Sequence, residues 1–416
     1  LLDEPTANLD YLAIEKLKNI LLLLKEEGKT LIISEHRLYY LRELVDEYWL
    51  IKNRSLYEKY DGDAFRAFSG DKLDDLCLRV LELNQLEVPN KCFEFCSDRL
   101  EVKEVSFGYK KQHILKDLSF TACLGEVTCL IGKNGSGKTT LGKCICGLLK
   151  TQKGRVFLKD KELSHRQLSQ NSLFIMQEAE FQFFTNSVLS ELKYGVNRNK
   201  YDEIEALLKR FDMWKYRDRH PFSLSGGQMQ KLTLMMAYLS DKSVVILDEP
   251  TSGMDKKSLD IVVGLINDMK KKKIVITISH DLEFISAVAN KCLELDNGVI
   301  QIICEVKENK DIENIKSIFE KDLEHKVPSE REKIILDPRT NILFWVLCMV
   351  SVGIDNKILI FECNLLALVF SLANRRYKAF GITSIIIGLI YGLEIIYPNE
   401  ITMFIANLFP RFILIF

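Results

Sequence analysis

The sequence predicts an α/β fold built on a parallel sheet, and three observations carry that reading. Short apolar runs at 127–131, 244–247 and 274–278 have the composition of strands covered on both faces. The first run leads straight into a glycine-rich loop, Gly132-Lys133-Asn134-Gly135-Ser136-Gly137-Lys138-Thr139, and a helical stretch follows at 141–149. A third signal is an internal repeat: Leu2-Asp3-Glu4-Pro5-Thr6, followed by Asp10, recurs as Leu247-Asp248-Glu249-Pro250-Thr251, followed by Asp255. After each copy come a helical stretch, a β-branched strand and a histidine, His36 in Ile33-Ser34-Glu35-His36 and His280 in Thr277-Ile278-Ser279-His280.

The repeat organises the chain as tandem homologous domains. Residues 1–83 are expected to be the C-terminal part of a first domain, entered just inside a buried strand, with Tyr60-Asp61-Gly62-Asp63 as a turn and 71–83 as a closing helix. Residues 84–98 read as a linker. A complete second domain is expected over 99–304, opening on strand patterns at Leu100, Val102 and Val105 and again at 118–120. Residues 305–336 are a charged, helical linker. Residues 337–416 hold four apolar stretches, 341–354, 358–373, 379–397 and 401–416, read as α-helical transmembrane segments, with Arg375, Arg376 and Lys378 in a loop that the positive-inside rule returns to the cytosol. On this reading the 416 residues are a piece of a longer protein at both ends.

Composition narrows the function. With 57 basic against 58 acidic side chains there is no global field to attract nucleic acid, so a polyanion must be held by a local site. The eleven cysteines lack the paired short spacings of a zinc module and read as reduced, mostly buried thiols.

The local site is the glycine loop. A G-x-x-x-x-G-K-T loop turns backbone N–H groups inward around phosphates at the N-terminus of a helix, which makes the domain a P-loop NTPase and ATP its ligand. Gly132, Asn134, Gly135, Ser136, Gly137, Lys138, Thr139 and Thr140 are the candidate cradle, with Lys138 reaching the β- and γ-phosphates. Thr139 and Asp248, the latter ending an apolar strand, are candidate Mg²⁺ ligands. Glu249 directly follows the metal-side carboxylate and is placed to orient or deprotonate the attacking water, and His280 would contact the γ-phosphate.

At this point the residues resemble a family. Leu224-Ser225-Gly226-Gly227-Gln228 is similar to the signature motif of ATP-binding cassette (ABC) ATPases, and the likeness covers 1–304. The resemblance implies that Tyr109 stacks on adenine, that Gln177 touches Mg²⁺ and senses a membrane partner, and that Asp10 and Asp255 couple two sites. It also implies that Ser225, Gly226, Gly227 and Gln228 close over nucleotide held by the opposite domain, so the two ABC domains pair within the chain. Asp3 (as Mg²⁺ ligand), Glu4 and His36 would then serve the site facing Ser225.

Gln177 to Val188, with Gln182-Phe183-Phe184-Thr185-Asn186-Ser187-Val188, and Ile33-Ser34-Glu35-His36-Arg37-Leu38 look like the energy-coupling factor (ECF) branch, and Asp337-Pro338-Arg339-Thr340 resembles the start of its coupling subunit. This implies an ATPase at the cytoplasmic face of the cell membrane that drives vitamin or metal-ion uptake. Its partners would be a separate substrate-binding membrane subunit and the remainder of the coupling subunit. Two competing readings are a soluble tandem ATPase that remodels ribosomes or nucleic acid, disfavoured by the apolar tail, and an exporter, disfavoured by the domain order.

Overall fold

The N-terminal copy is built from few elements: β1 (Leu2–Asp3), α1 (Tyr11–Glu26), β2 (Ile33–Ser34), β3 (Glu47–Lys52), β4 (Ser55–Asp61), α2 (Gly62–Arg66) and α3 (Gly70–Asp75). The computed structural model describes residues 1–324 except 8, 53, 54, 87, 90–97, 110 and 111, so the expected transmembrane stretches of 337–416 lie outside the described residues, as does most of the 84–98 linker. No helix among the described residues is long and apolar enough to cross a membrane.

β1 and β2 pair in parallel, Leu2 against Ile33 and Asp3 against Ser34. The strand expected to be buried is only half covered at Leu2 and exposed at Asp3. α1 is capped by Asp10, whose carboxylate accepts from the Ala13 N–H at 2.9 Å, and it buries Tyr11, Ile14 and Leu21 at helical spacing.

Two expectations in this region are corrected. The segment at 60–63 is the end of β4 running into α2, with Asp61 as the helix cap, rather than a free turn. The closing helix stops at Asp75 instead of continuing to residue 83. Cys77 takes a left-handed φ of 55°, and the Leu78 N–H bonds back to the Leu73 carbonyl at 2.8 Å, which terminates the helix.

The second copy follows as β5 (Arg99–Tyr109), β6 (Gln112–Cys123), β7 (Val127–Ile131), α4 (Lys138–Ile145), β8 (Lys153–Leu158), β9 (Lys161–Glu162), α5 (His165–Asn171), β10 (Ser172–Ile175), α6 (Val188–Lys193), α7 (Tyr201–Arg210), α8 (Gly226–Leu239), β11 (Val244–Asp248), α9 (Lys256–Lys270), β12 (Ile274–Ile278), α10 (Leu282–Val288), β13 (Lys291–Asp296), β14 (Val299–Glu305) and α11 (Asn309–Glu324). Its central sheet runs in the order β10-β11-β12-β7-β13-β14, parallel except for the last pair, and a separate antiparallel sheet runs β6-β5-β8-β9. Every residue of β7, β11 and β12 is buried, as the apolar runs predict.

Two cores position the site. Between the sheets, Leu100, Val102, Leu118 and Phe120 meet Leu130, Leu141 and Ile246, and on the other face Leu232, Met235, Val262, Leu265 and Ile266 cover β11 and β12. Each such side chain removed from water contributes about 1.5–3 kcal/mol. These cores clamp β7, β11 and β12 side by side, so the loops after them converge at one edge.

The described part of the charged stretch after β14, Asn309–Glu324, is a helix, but it is not a free linker, and 325–336 lie outside the described residues. Ile312, Ile315, Ile318 and Phe319 lie on one face of α11 and are buried with Tyr11 of the first copy and Ile131, Leu282 and Ile285 of the second. Cys129, Cys144, Cys146 and Cys292 are buried free thiols, whereas Cys77 is free but exposed and Cys123 is disulfide-bonded.

Candidate active site

β7 delivers the chain to Gly132 and α4 takes it up at Lys138. Two glycines are required here. A side chain on Gly132 (φ 131°) would collide with the Leu295 carbonyl, and one on Gly137 (φ 107°) would sit 2.9 Å from Leu115 Cδ2. The Lys138 ammonium folds back onto its own loop, donating to the Gly132 and Lys133 carbonyls at 2.5 and 2.8 Å, and burial lowers its pKa. Thr139 Oγ1 donates to Asp248 Oδ2 at 2.8 Å, which joins the start of α4 to the end of β11. Asp248 is buried, and that desolvation raises its pKa against the opposing pull of Thr139 and Lys138.

Glu249 adopts a left-handed φ of 47°, held by its N–H donating to the Ile278 carbonyl at 2.9 Å and its carbonyl accepting from Gln230 Nε2 at 2.6 Å. Ser279 Oγ donates to its carboxylate at 3.2 Å, and His280 Nε2 lies 3.9 Å from the other oxygen. Burial pushes the Glu249 carboxyl up to about 7 and the His280 imidazole down to about 3, with the Lys138 charge adding to the latter. His280 is therefore neutral, and neither of its buried ring nitrogens has a hydrogen-bond partner.

Asn134 through Thr140, Gln177, Asp248, Glu249 and His280 line one open cleft. Most of the sequence-chosen residues of the second copy thus meet; Gly132 at the start of the loop and Asp255 at the cap of α9 do not line this cleft, nor do Tyr109 and the Ser225 turn. Tyr109 is half exposed at the end of β5, in edge contact with Phe107 at 4.9 Å, and does not line the cleft. Ser225 to Gln228 form a reciprocal cap on α8, the Ser225 N–H donating to Gln228 Oε1 at 3.0 Å, and they too lie outside the lining. Gly227 instead approaches the Gly253 carbonyl, and a side chain on Gly253 would come within 2.6 Å of Glu4. The turn therefore neighbours the first copy.

That copy repeats the second at backbone level. Asp3 pairs with Ser34 as Asp248 pairs with Ile278, Glu4 has φ 41°, and its N–H reaches the Ser34 carbonyl at 2.8 Å. Glu35, His36 and Arg37 thus occupy the places of Ser279, His280 and Asp281. The copies touch where Asp10 Oδ2 accepts from the Asn134 N–H at 3.1 Å and Ser252 Oγ donates to the Ala7 carbonyl at 2.7 Å.

Sequence reasoning missed part of the cleft. Gln112, His113, Ile114 and Lys116 from β6 and Asn297-Gly298 between β13 and β14 line it as well. Only Asn297-Gly298 carried a local signal, as a hairpin turn dipeptide.

The donor set fits MgATP. Thr139 and Asp248 supply hard oxygen ligands, and Ser136 Oγ and both His280 nitrogens are buried polar atoms without partners.

Comparison with known proteins gives a concordant result. A family model described as "ABC transporter" matches residues 115–252. A putative ABC transporter ATP-binding protein of Treponema denticola is 37% identical over 311 residues, covering 72% of this chain and 63% of its own length. A putative HMP/thiamine import ATP-binding protein of Bacillus subtilis is 30% identical over 332 residues, covering 72% of this chain and 60% of its own length. A putative ABC transporter ATP-binding protein of Pyrococcus furiosus is 33% identical over 220 residues, covering 50% of this chain and 84% of its own length. The chain spans less than two thirds of the length of the first two relatives.

Proposed function

The chain belongs to the family of ABC transporter ATP-binding proteins, and from that premise we propose that it binds and hydrolyses MgATP as the energy-coupling component of an ECF-type importer. The reading rests most heavily on one observation: Lys138, the Thr139–Asp248 pair, Gln177, Glu249 and His280 share one cleft at the edge of a parallel sheet. The Bacillus subtilis relative, named as a putative HMP/thiamine import ATP-binding protein, favours a vitamin over a metal ion as the substrate class; on this reading a separate membrane subunit binds the substrate and the ATPase works at the cytoplasmic face of the membrane.

The roles follow from chemistry. Lys138 exchanges its two loop carbonyls for phosphate oxygens, which are stronger partners because they are charged. Mg²⁺, held by Thr139 and Asp248 with Gln177 nearby, would offset phosphate charge. Glu249 accepts a proton from water, and its pKa of about 7 suits a base working near neutrality. His280, neutral, holds the γ-phosphate and water in line without repelling the proton that Glu249 receives. In the first copy Asp3, Glu4 and His36 would serve the nucleotide that Ser225 and Gly226 close upon.

Binding of a fluorescent ATP analogue to the intact transporter, with and without Mg²⁺, tests the reading. Lys138→Ala should weaken binding at this site by roughly tenfold or more, the loss of a charge-assisted contact. Unchanged binding and turnover in that variant would refute it. In the wild type kcat/KM should rise with pH through about 7, as Glu249 loses its proton.

A further inference from the structure

Four charged side chains lie buried between the two copies: Arg37 and Arg79 from the first, Asp281 and Glu283 from the second. Arg79 grips both acids. Its Nη2 donates to Asp281 Oδ1 and Oδ2 at 2.6 and 2.5 Å, and its Nε donates to Glu283 Oε2 at 2.7 Å. Arg37 stands 3.9 Å from Asp281 and donates to the Thr6 carbonyl at 3.2 Å.

Asp281 directly follows His280 and is the hub of the cluster. Its side chain caps α10 through the Glu283 and Phe284 N–H groups at 3.2 and 3.4 Å and accepts from Thr251 Oγ1 at 3.4 Å. Its own N–H donates to Ser279 Oγ at 3.1 Å, and that hydroxyl donates to the Glu249 carboxylate. An unbroken line of hydrogen bonds thus runs from Arg79 through Asp281 and Ser279 to Glu249. His280 lies between two pinned neighbours, and its ring nitrogens have no hydrogen-bond partner.

The strand registers make positions 37 and 281 equivalent in the two copies, yet one is Arg and the other Asp. Pairing of two like copies would set Arg against Arg or Asp against Asp. The residues themselves compensate for the exchange. Thr251 bonds Asp281, whereas Thr6, which faces an Arg at that place, bonds Glu35 instead at 2.6 Å.

We propose that Arg79, assisted by Arg37, is a positioning residue of the first copy that sets His280 and Glu249 in the second, so that hydrolysis at the Lys138 site depends on docking of the N-terminal copy. The proposal rests on the reading of that cleft as an ATPase site. Docking supplies the two guanidiniums; undocked, Asp281 and Glu283 would lose the partner that fixes them, and docked without a guanidinium they would be two buried, unpaired carboxylates that repel each other, so either way the Ser279–Asp281 turn is released.

The test is steady-state ATP hydrolysis by the intact transporter, with nucleotide affinity and thermal stability measured alongside. Arg79→Lys keeps the charge but not the three-bond fork, and should lower kcat by roughly tenfold, the scale of a small misplacement at a reacting centre, with KM for ATP unchanged within about twofold. Because Arg79→Met alone strands two acids, the second variant is Arg79→Met combined with Asp281→Asn and Glu283→Gln, which removes all three charges and keeps a cap on α10. It should keep the wild-type melting temperature and ATP affinity and still lose about tenfold in kcat. A purely structural cluster would show the reverse, with stability lost in Arg79→Lys and kcat intact in the neutral triple variant. Wild-type kcat in Arg79→Lys overturns the proposal even if the triple variant does not fold. A wild-type transporter that hydrolyses no ATP overturns the reading of the cleft itself.

Discussion

In the N-terminal copy His36 Nε2 stands 3.5 Å from Glu4 with the two side chains 42% and 36% exposed; in the second copy His280 Nε2 stands 3.9 Å from Glu249 with the two at 6% and 12%. The repeated sequence gives both glutamates the same left-handed backbone and nearly the same separation from the histidine. The difference lies in what covers them. Phe319 of α11 stands 6.1 Å from the His280 ring, and Gln112, His113, Ile114 and Lys116 of β6 line the cleft that holds Lys138. A motif therefore fixes distance, while the residues packed around it fix protonation. Burial drives Glu249 and His280 toward neutrality; Glu4 is raised in the same direction by its partial burial, but His36 opposes that shift.

The largest expected effect separates the two copies kinetically. Glu249→Gln in the intact transporter should cut turnover by about 10²–10⁴-fold, the range for loss of a general base, while Glu4→Gln should cost less than about tenfold. Equal losses would show that coverage does not distinguish the sites.

A thermodynamic comparison comes next. Because the folded protein holds the Glu249 proton up to about pH 7 against an ordinary value of 4.5, wild-type stability falls as pH rises across that window. Glu249→Gln removes this term, so in urea unfolding of the nucleotide-free protein it should gain about 3 kcal/mol over wild type above pH ~7.5, and nothing near pH ~4. A gain independent of pH would mean that the carboxyl is not buried as described.

The smallest effect concerns the seam between the copies. Tyr11→Phe removes the hydrogen bond from its hydroxyl to Glu320 at 3.2 Å while keeping the stack on Phe319 at 5.9 Å, and should cost about 1 kcal/mol in the same assay.

The sequence disclosed what is encoded locally. Glycines that a Cβ would block, an apolar run before them and a doubled Asp-Glu-Pro are contiguous signals, and they led to the cradle, Asp248, Glu249 and His280. The contributions of Gln112 to Lys116 were hidden because β6 joins the cleft through an antiparallel sheet whose pairing with β5 shifts register three times. Arg79 was hidden for a similar reason. It lies more than two hundred residues from its partners, after a helix that ends on a non-glycine residue in a left-handed conformation and so gave no stop signal. The role of α11 was misjudged because its charge is obvious in the sequence, while the burial of its apolar face depends on two partners distant along the chain.

The carboxylate of Asp10 has one further consequence. One of its oxygens caps the start of α1 and the other occupies the Asn134 N–H, the same donor that a phosphate would claim. A nucleotide held by this amide would displace the Asp10 carboxylate rather than fill an idle surface. By reciprocity, whatever free energy this contact gives would be subtracted from phosphate affinity, and phosphate at that amide would weaken this one contact by an equal amount, while the Arg79 and Ser252 contacts still hold the N-terminal copy in place. Departure of spent nucleotide and return of the Asp10 carboxylate would then be a single exchange at one amide, which ties the rhythm of the cycle to the order in which the two anions visit it.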